Sequence, residues 1–154
     1  MSVLKNQDTV FYFNTSNPYR PQFLKSNRAF LSAVTDEVVG KPDGGFFITN
    51  MGSASGRSPG RLIETDANLN IIHEWPDDAN GPGDIFEQQF SPHGITVDWQ
   101  RRRVLTSDFI EPASILKPST GVKFASTLRL WDLDSKTILN TITIPDVGFS
   151  LLLH

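Results

Sequence analysis

Pro42-Asp43-Gly44-Gly45-Phe46-Phe47-Ile48-Thr49-Asn50-Met51, followed after a Gly/Ser-rich stretch by Arg61-Leu62-Ile63-Glu64-Thr65, is the segment whose reading decides the fold. Proline presets the entry to a turn and glycine supplies the positive φ that closes it, so residues 42–45 deliver the chain into a strand. Residues 46–51 and 61–65 are rich in aromatic and β-branched side chains and lack the three-and-four spacing of an amphipathic helix. A turn at residues 66–68 then leads into Ile71-Ile72-His73-Glu74-Trp75, which makes a hairpin with the preceding strand.

Downstream the same grammar returns. Ile95, Val97 and Trp99 fall on one face of a strand, residues 100–103 turn the chain, and Val104-Leu105-Thr106-Ser107-Asp108 runs back. A longer loop over residues 110–126 precedes Leu128-Arg129-Leu130-Trp131-Asp132, a turn at residues 134–136, and a last strand over residues 137–144. Ile48-Thr49-Asn50 matches Leu105-Thr106-Ser107, Arg61-Leu62-Ile63-Glu64-Thr65-Asp66 matches Arg129-Leu130-Trp131-Asp132-Leu133-Asp134, and Pro76 and Pro145 close the two units. Length differences fall in loops, where repeats tolerate insertion. Upstream, Val10-Phe11-Tyr12-Phe13 reads as a strand ended by residues 14–21, and residues 22–34 are the one place where a short helix is expected.

A small antiparallel sheet cannot bury both faces by itself, and propeller blades solve this by stacking face to face around an axis, about four to eight to a ring. The sequence therefore predicts an all-β, partial β-propeller of about two to three blades. It forms a single domain over residues 1–154, with blade-like units near 45–76 and 103–145 and a divergent N-terminal segment 1–40. Phe149-Ser150-Leu151-Leu152-Leu153-His154 is an apolar, strand-like run without a polar cap and reads as the start of a further blade.

A chain of 154 residues is long enough for one real core. With 14 basic against 17 acidic residues and a net charge of −3, it has no broad field for nucleic acid or an anionic membrane, and neither partner is expected. Without cysteine there is no disulfide, no thiolate metal site and no Cys nucleophile. No stretch approaches the roughly 20 apolar residues that span a bilayer, and a soluble, cytoplasmic protein is expected. Asn14-Thr15-Ser16 fits the glycosylation pattern, with no secretion signal beside it.

Three ordered segments carry a resemblance: Gly45-Phe46-Phe47-Ile48-Thr49-Asn50-Met51-Gly52; Arg103-Val104-Leu105-Thr106-Ser107-Asp108-Phe109 with Pro112 and Leu116; and Leu128-Arg129-Leu130-Trp131-Asp132 with Thr141-Ile142-Thr143-Ile144-Pro145-Asp146. In order and approximate spacing they resemble the central region of the selenium-binding protein / methanethiol oxidase family, over roughly residues 22–154. The resemblance implies a propeller of several hundred residues, of which this chain corresponds to about a third. It also implies oxidation of a small thiol such as methanethiol to formaldehyde, hydrogen peroxide and hydrogen sulfide, with copper held by histidines near the axis in bacterial members. Selenium binding in the family is attributed to a cysteine, and here there is none. Where the family carries closely spaced histidines, this chain reads Leu31-Ser32-Ala33-Val34-Thr35-Asp36-Glu37.

The chain's histidines are His73, His93 and His154. His93, in Ser91-Pro92-His93-Gly94, stands at a strand entry beside a glycine that admits close approach, so it either faces a central pocket or satisfies a backbone carbonyl. Asp108 and Glu111 follow the returning strand. With His93 they make a candidate acid–base cluster, and His93, Asp108 and His154 a candidate metal set; as solvated loop carboxylates they would need no partner. His73 alternates with Ile71 and Trp75 and reads as a packed or edge residue. Gly56-Arg57-Ser58-Pro59-Gly60 has the letters of a nucleophile elbow but no following helix, and reads as a loop. Arg101-Arg102-Arg103 and Asp77-Asp78 read as solvated turn and linker charges. Beside the oxidase reading stand two others: a non-catalytic propeller fragment or interaction module that self-associates or pairs with another protein, and a fold relative that transforms a different small molecule without a metal.

Overall fold

A computed structural model describes residues 8–77, 88–116 and 121–145. Within them the chain is a partial β-propeller of antiparallel sheets. A hairpin of β1 (Val10–Asn14) and β2 (Gln22–Asn27) precedes a four-stranded meander of β3 (Ser32–Gly40), β4 (Phe46–Ser53), β5 (Arg61–Thr65) and β6 (Ile71–Trp75). A second meander follows in the same order: β7 (Pro92–Asp98), β8 (Arg103–Asp108), β9 (Thr127–Asp132) and β10 (Ile138–Thr143). The matched sequence segments fall on the second and third strands of their sheets, β4 with β8 and β5 with β9. Each sheet also has a first strand, β3 or β7, ahead of the unit boundaries expected at residues 45 and 103.

The helix expected in residues 22–34 is absent there: β2 and the start of β3 occupy that stretch. Phe23 pairs with Phe13 across the hairpin, their rings edge-on at 5.8 Å, and this tertiary pairing overrides a weak local preference. The one helix among the described residues is α1 (Pro112–Leu116), inside the long loop between β8 and β9.

Alternation decides which side chains join the sheets. Phe47, Leu62 and Trp75 point from the first sheet, and Ile95, Val104 and Trp131 from the second, into one shared core completed by Phe90 and Leu133. Trp75 and Trp131 meet edge to face at 5.1 Å, an arrangement that adds roughly 0.5–1.5 kcal/mol beyond area burial. Phe46 and Ile48 point the other way, toward the hairpin, where Tyr12 stacks on Phe46 at 5.8 Å and its hydroxyl donates to Asn27. The first sheet is thus covered on both faces. The described residues cover the second on one face only; its outer face presents Leu105 paired with Leu130, which line a shallow groove of about 960 Å³, and Ile142 paired with Leu128.

An ionic latch joins the two sheets. Glu64 on β5 takes Lys41 at 2.8 Å and Lys136, from the β9–β10 turn, at 3.1 Å. Lys136 also lies over the Phe47 and Trp75 rings, at 5.0 and 5.2 Å from their centroids. Burial pushes the Glu64 carboxyl up, but the hydrogen bonds and charges of Lys41 and Lys136 outweigh it and hold the group below its usual range.

Candidate functional site

The leading strands of the two sheets, β3 and β7, pack against each other, and both are bulged where they meet. On β3, Thr35 pairs with Asn50 and Val38 with Ile48, so Asp36 and Glu37 together oppose the single residue Thr49. On β7, Pro92 pairs with Asp108 and Gly94 with Ser107, which makes His93 the extra residue. An extra residue re-aims the side chains around it. Regular alternation would send Asp36 and Glu37 to opposite faces. Here both reach β7: Asp36 Oδ2 lies 3.1 Å from His93 Nε2, and Glu37 Oε2 accepts the Ile95 N–H at 2.7 Å.

Thr49 pins both bulges. Its side chain is fully buried, its hydroxyl accepts the Glu37 N–H at 2.9 Å and donates to the His93 carbonyl at 2.8 Å. Gly94 permits the close packing beside it, since a Cβ there would lie 2.6 Å from Ser107 Oγ and 3.5 Å from Glu37 Oε2. The His93 ring is half exposed and stands edge-on to Phe109 at 5.3 Å, with Phe124 next in line. Nε2 faces the Asp36 carboxylate and no described residue bonds Nδ1, so the second ring nitrogen is open to an incoming group.

The three catalytic candidates read from sequence go to three different places. His93 forms the dyad just described. Asp108 is buried and accepts from the Ser91 N–H at 2.8 Å, from the Thr127 hydroxyl and from the Arg129 guanidinium. Arg129 is itself fully buried over the Phe90 ring and donates to the Gln89 carbonyl. Asp108 therefore ties residues 89–91 to β8 and β9. Glu111 accepts the Ser58 N–H at 3.3 Å and faces Lys123 at 3.7 Å, fastening the 52–60 loop to the start of α1. Neither carboxylate joins His93. His154 lies outside the described residues, as does Asp78 of the linker pair; His73 is half-buried on the edge strand β6, beside Glu64. Ser58 sits in a loop that hydrogen-bonds to Phe90, with a strand after it.

Among the described residues no three His, Asp or Glu side chains gather as a metal site would require. The donors themselves give the reason: Asp108 already receives three hydrogen bonds, and the one histidine at the strand junction is paired with a single carboxylate. The described residues therefore do not fit a copper ion held by several histidines. Sequence reasoning missed Asp36, Glu37 and Thr49. The available signal was the polar triplet Thr35-Asp36-Glu37 inside an apolar strand, which breaks the two-residue alternation where the bulge lies.

No family model matches the sequence, and no curated protein matches it. A solved structure does share the fold: the X-ray structure of a hypothetical selenium-binding protein from Sulfolobus tokodaii, with a TM-score of 0.71 at 16% identity, covering 88% of this chain and 31% of that one. The relationship is a distant one of fold. This chain spans under a third of that protein's length. No helix among the described residues is long and apolar enough to cross a membrane.

Proposed function

We propose that this chain is a partial propeller domain of selenium-binding-protein type whose β3–β7 junction handles a small thiol or comparable weak acid, with His93 taking the proton at Nδ1 and Asp36 holding the ring. The opposed bulges carry this reading, because they place an oriented imidazole with one open nitrogen beside the Phe109 edge. The Asp36 carboxylate lies at Nε2, across the ring from Nδ1, and leaves Nδ1 to meet the incoming acid. Oxidation of methanethiol, which the family resemblance implies, needs an electron acceptor that these donors do not hold. The proposed role is therefore proton handling and binding, independent of a metal.

Methanethiol is the probe. In metal-free protein it is expected to shift the His93 imidazole resonances saturably, and Asp36→Asn to weaken that response at least about tenfold, roughly 1.4 kcal/mol. A response unchanged in Asp36→Asn, or turnover of thiol to peroxide by metal-free protein, would overturn the reading.

The outer face of the second sheet, which no described residue covers, favours a second reading, that of an interaction module. Leu105, Leu128, Leu130 and Ile142 form the kind of stripe that the first sheet buries on both of its sides. The partner of fitting chemistry is another blade-like sheet, carried by a second copy or by another protein.

A further inference from the structure

Just before the dyad, β3 contains a second irregularity. Val34 has φ of +66°, a left-handed conformation that costs a β-branched residue roughly 1–3 kcal/mol. In a regular strand the N–H groups of neighbouring residues point to opposite sides. With Val34 left-handed, the Val34 and Thr35 N–H groups instead converge on one carboxylate: Val34 N donates to Asp8 Oδ2 at 2.7 Å, and Thr35 N to Asp8 Oδ1 at 3.2 Å. Two successive N–H groups turned to one point form a nest, a concavity suited to an anionic oxygen pair. Val34 has no partner in the β3–β4 register, and Thr35, which pairs with Asn50, also bonds the Asn50 side chain through its hydroxyl.

We propose that the Val34–Thr35 turn is a carboxylate-binding site, and that Asp8 occupies it as a ligand supplied by the chain itself. The class of ligand is a small monocarboxylate, whose two oxygens reproduce those of Asp8. The site adjoins Asp36 in sequence but uses only backbone donors of residues 34 and 35, so it does not depend on the acid–base role of His93. A tethered ligand acts at an effective concentration in the millimolar range, and a free carboxylate must exceed that to displace it.

The test uses acetate and the full chain, following the Val34 and Thr35 amides in proton–nitrogen spectra, with chloride at equal ionic strength as control. In Asp8→Ala those two amides are expected to move saturably with millimolar acetate, while the native chain needs at least about tenfold more. Equal responses in the two proteins, or equal responses to acetate and chloride, would overturn the proposal. Asp8→Asn, which keeps the side-chain size, guards against loss of structure. If amide exchange in β3 speeds up in either variant, acetate is expected to slow it again, and failure to do so would mean that Asp8 is a strut and not a ligand. His93→Ala is expected to leave acetate binding unchanged, which separates this site from the thiol site.

Discussion

Thr49 has one hydroxyl and satisfies two bulged strands with it, so its replacement is sharply diagnostic. Thr49→Val keeps the shape but leaves the part-buried Glu37 N–H and His93 carbonyl without that partner, a loss of about 1–2 kcal/mol by denaturant unfolding. Thr49→Ser retains the hydroxyl and is expected to recover most of it. Val34 offers the converse case: glycine carries no penalty at φ of +66°, so Val34→Gly is expected to relieve backbone strain while leaving both N–H groups aimed at Asp8. At this scale the sequence revealed His93 but not its partner. The glycine after His93 advertised a close approach, whereas Asp36 becomes a partner only because a bulge turns it toward β7.

The strands that end near Asp108 are fixed by an ion pair that no solvent reaches. Asp108 and Arg129 both have fully buried side chains, and removing one leaves the other charged and uncompensated. Arg129→Met is accordingly expected to lower stability by about 3–5 kcal/mol in equilibrium unfolding. An Asp108 acting as catalytic base would instead keep its variants folded and only inactive. The sequence placed Asp108 and Glu111 correctly at the end of a strand and in the loop after it. It did not show that Arg129, from the next strand, and Ser58, from the loop between β4 and β5, would take them up.

Between the sheets, Glu64 links β5 to the β9–β10 turn. Its carboxyl titrates lower in the folded chain than in the unfolded one, so its contribution is full above the usual glutamate value of about 4.3 and disappears as pH falls through the lower folded value. Glu64→Gln is expected to cost roughly 1.5–3 kcal/mol near neutrality and to flatten the acid side of the stability–pH curve. A curve that keeps its acid slope in Glu64→Gln would assign that slope to other carboxylates. The outer face of the second sheet is read by association: if it docks another sheet, Leu130→Lys in light scattering should raise the concentration for half-assembly at least about tenfold, about 1.4 kcal/mol. A native chain that stays monomeric at all concentrations would remove the self-association form of that reading.

The all-β, blade-like character of this chain was determined by the sequence alone. Alternation at residues 95–99 and 128–131, the aromatic and β-branched run at residues 46–48 and the turn chemistry at residues 42–45 act over a few residues, and a period of two has one structural meaning. The first strand of the first sheet, β3, the strand in place of a helix at residues 22–27 and the meeting of His93 with Asp36 were decided only by tertiary structure. Each depends on pairing between distant segments. A β-bulge shows why this escapes local reading: one extra residue, placed by the strand opposite, moves a side chain to the other face of the sheet without changing a letter of the pattern around it.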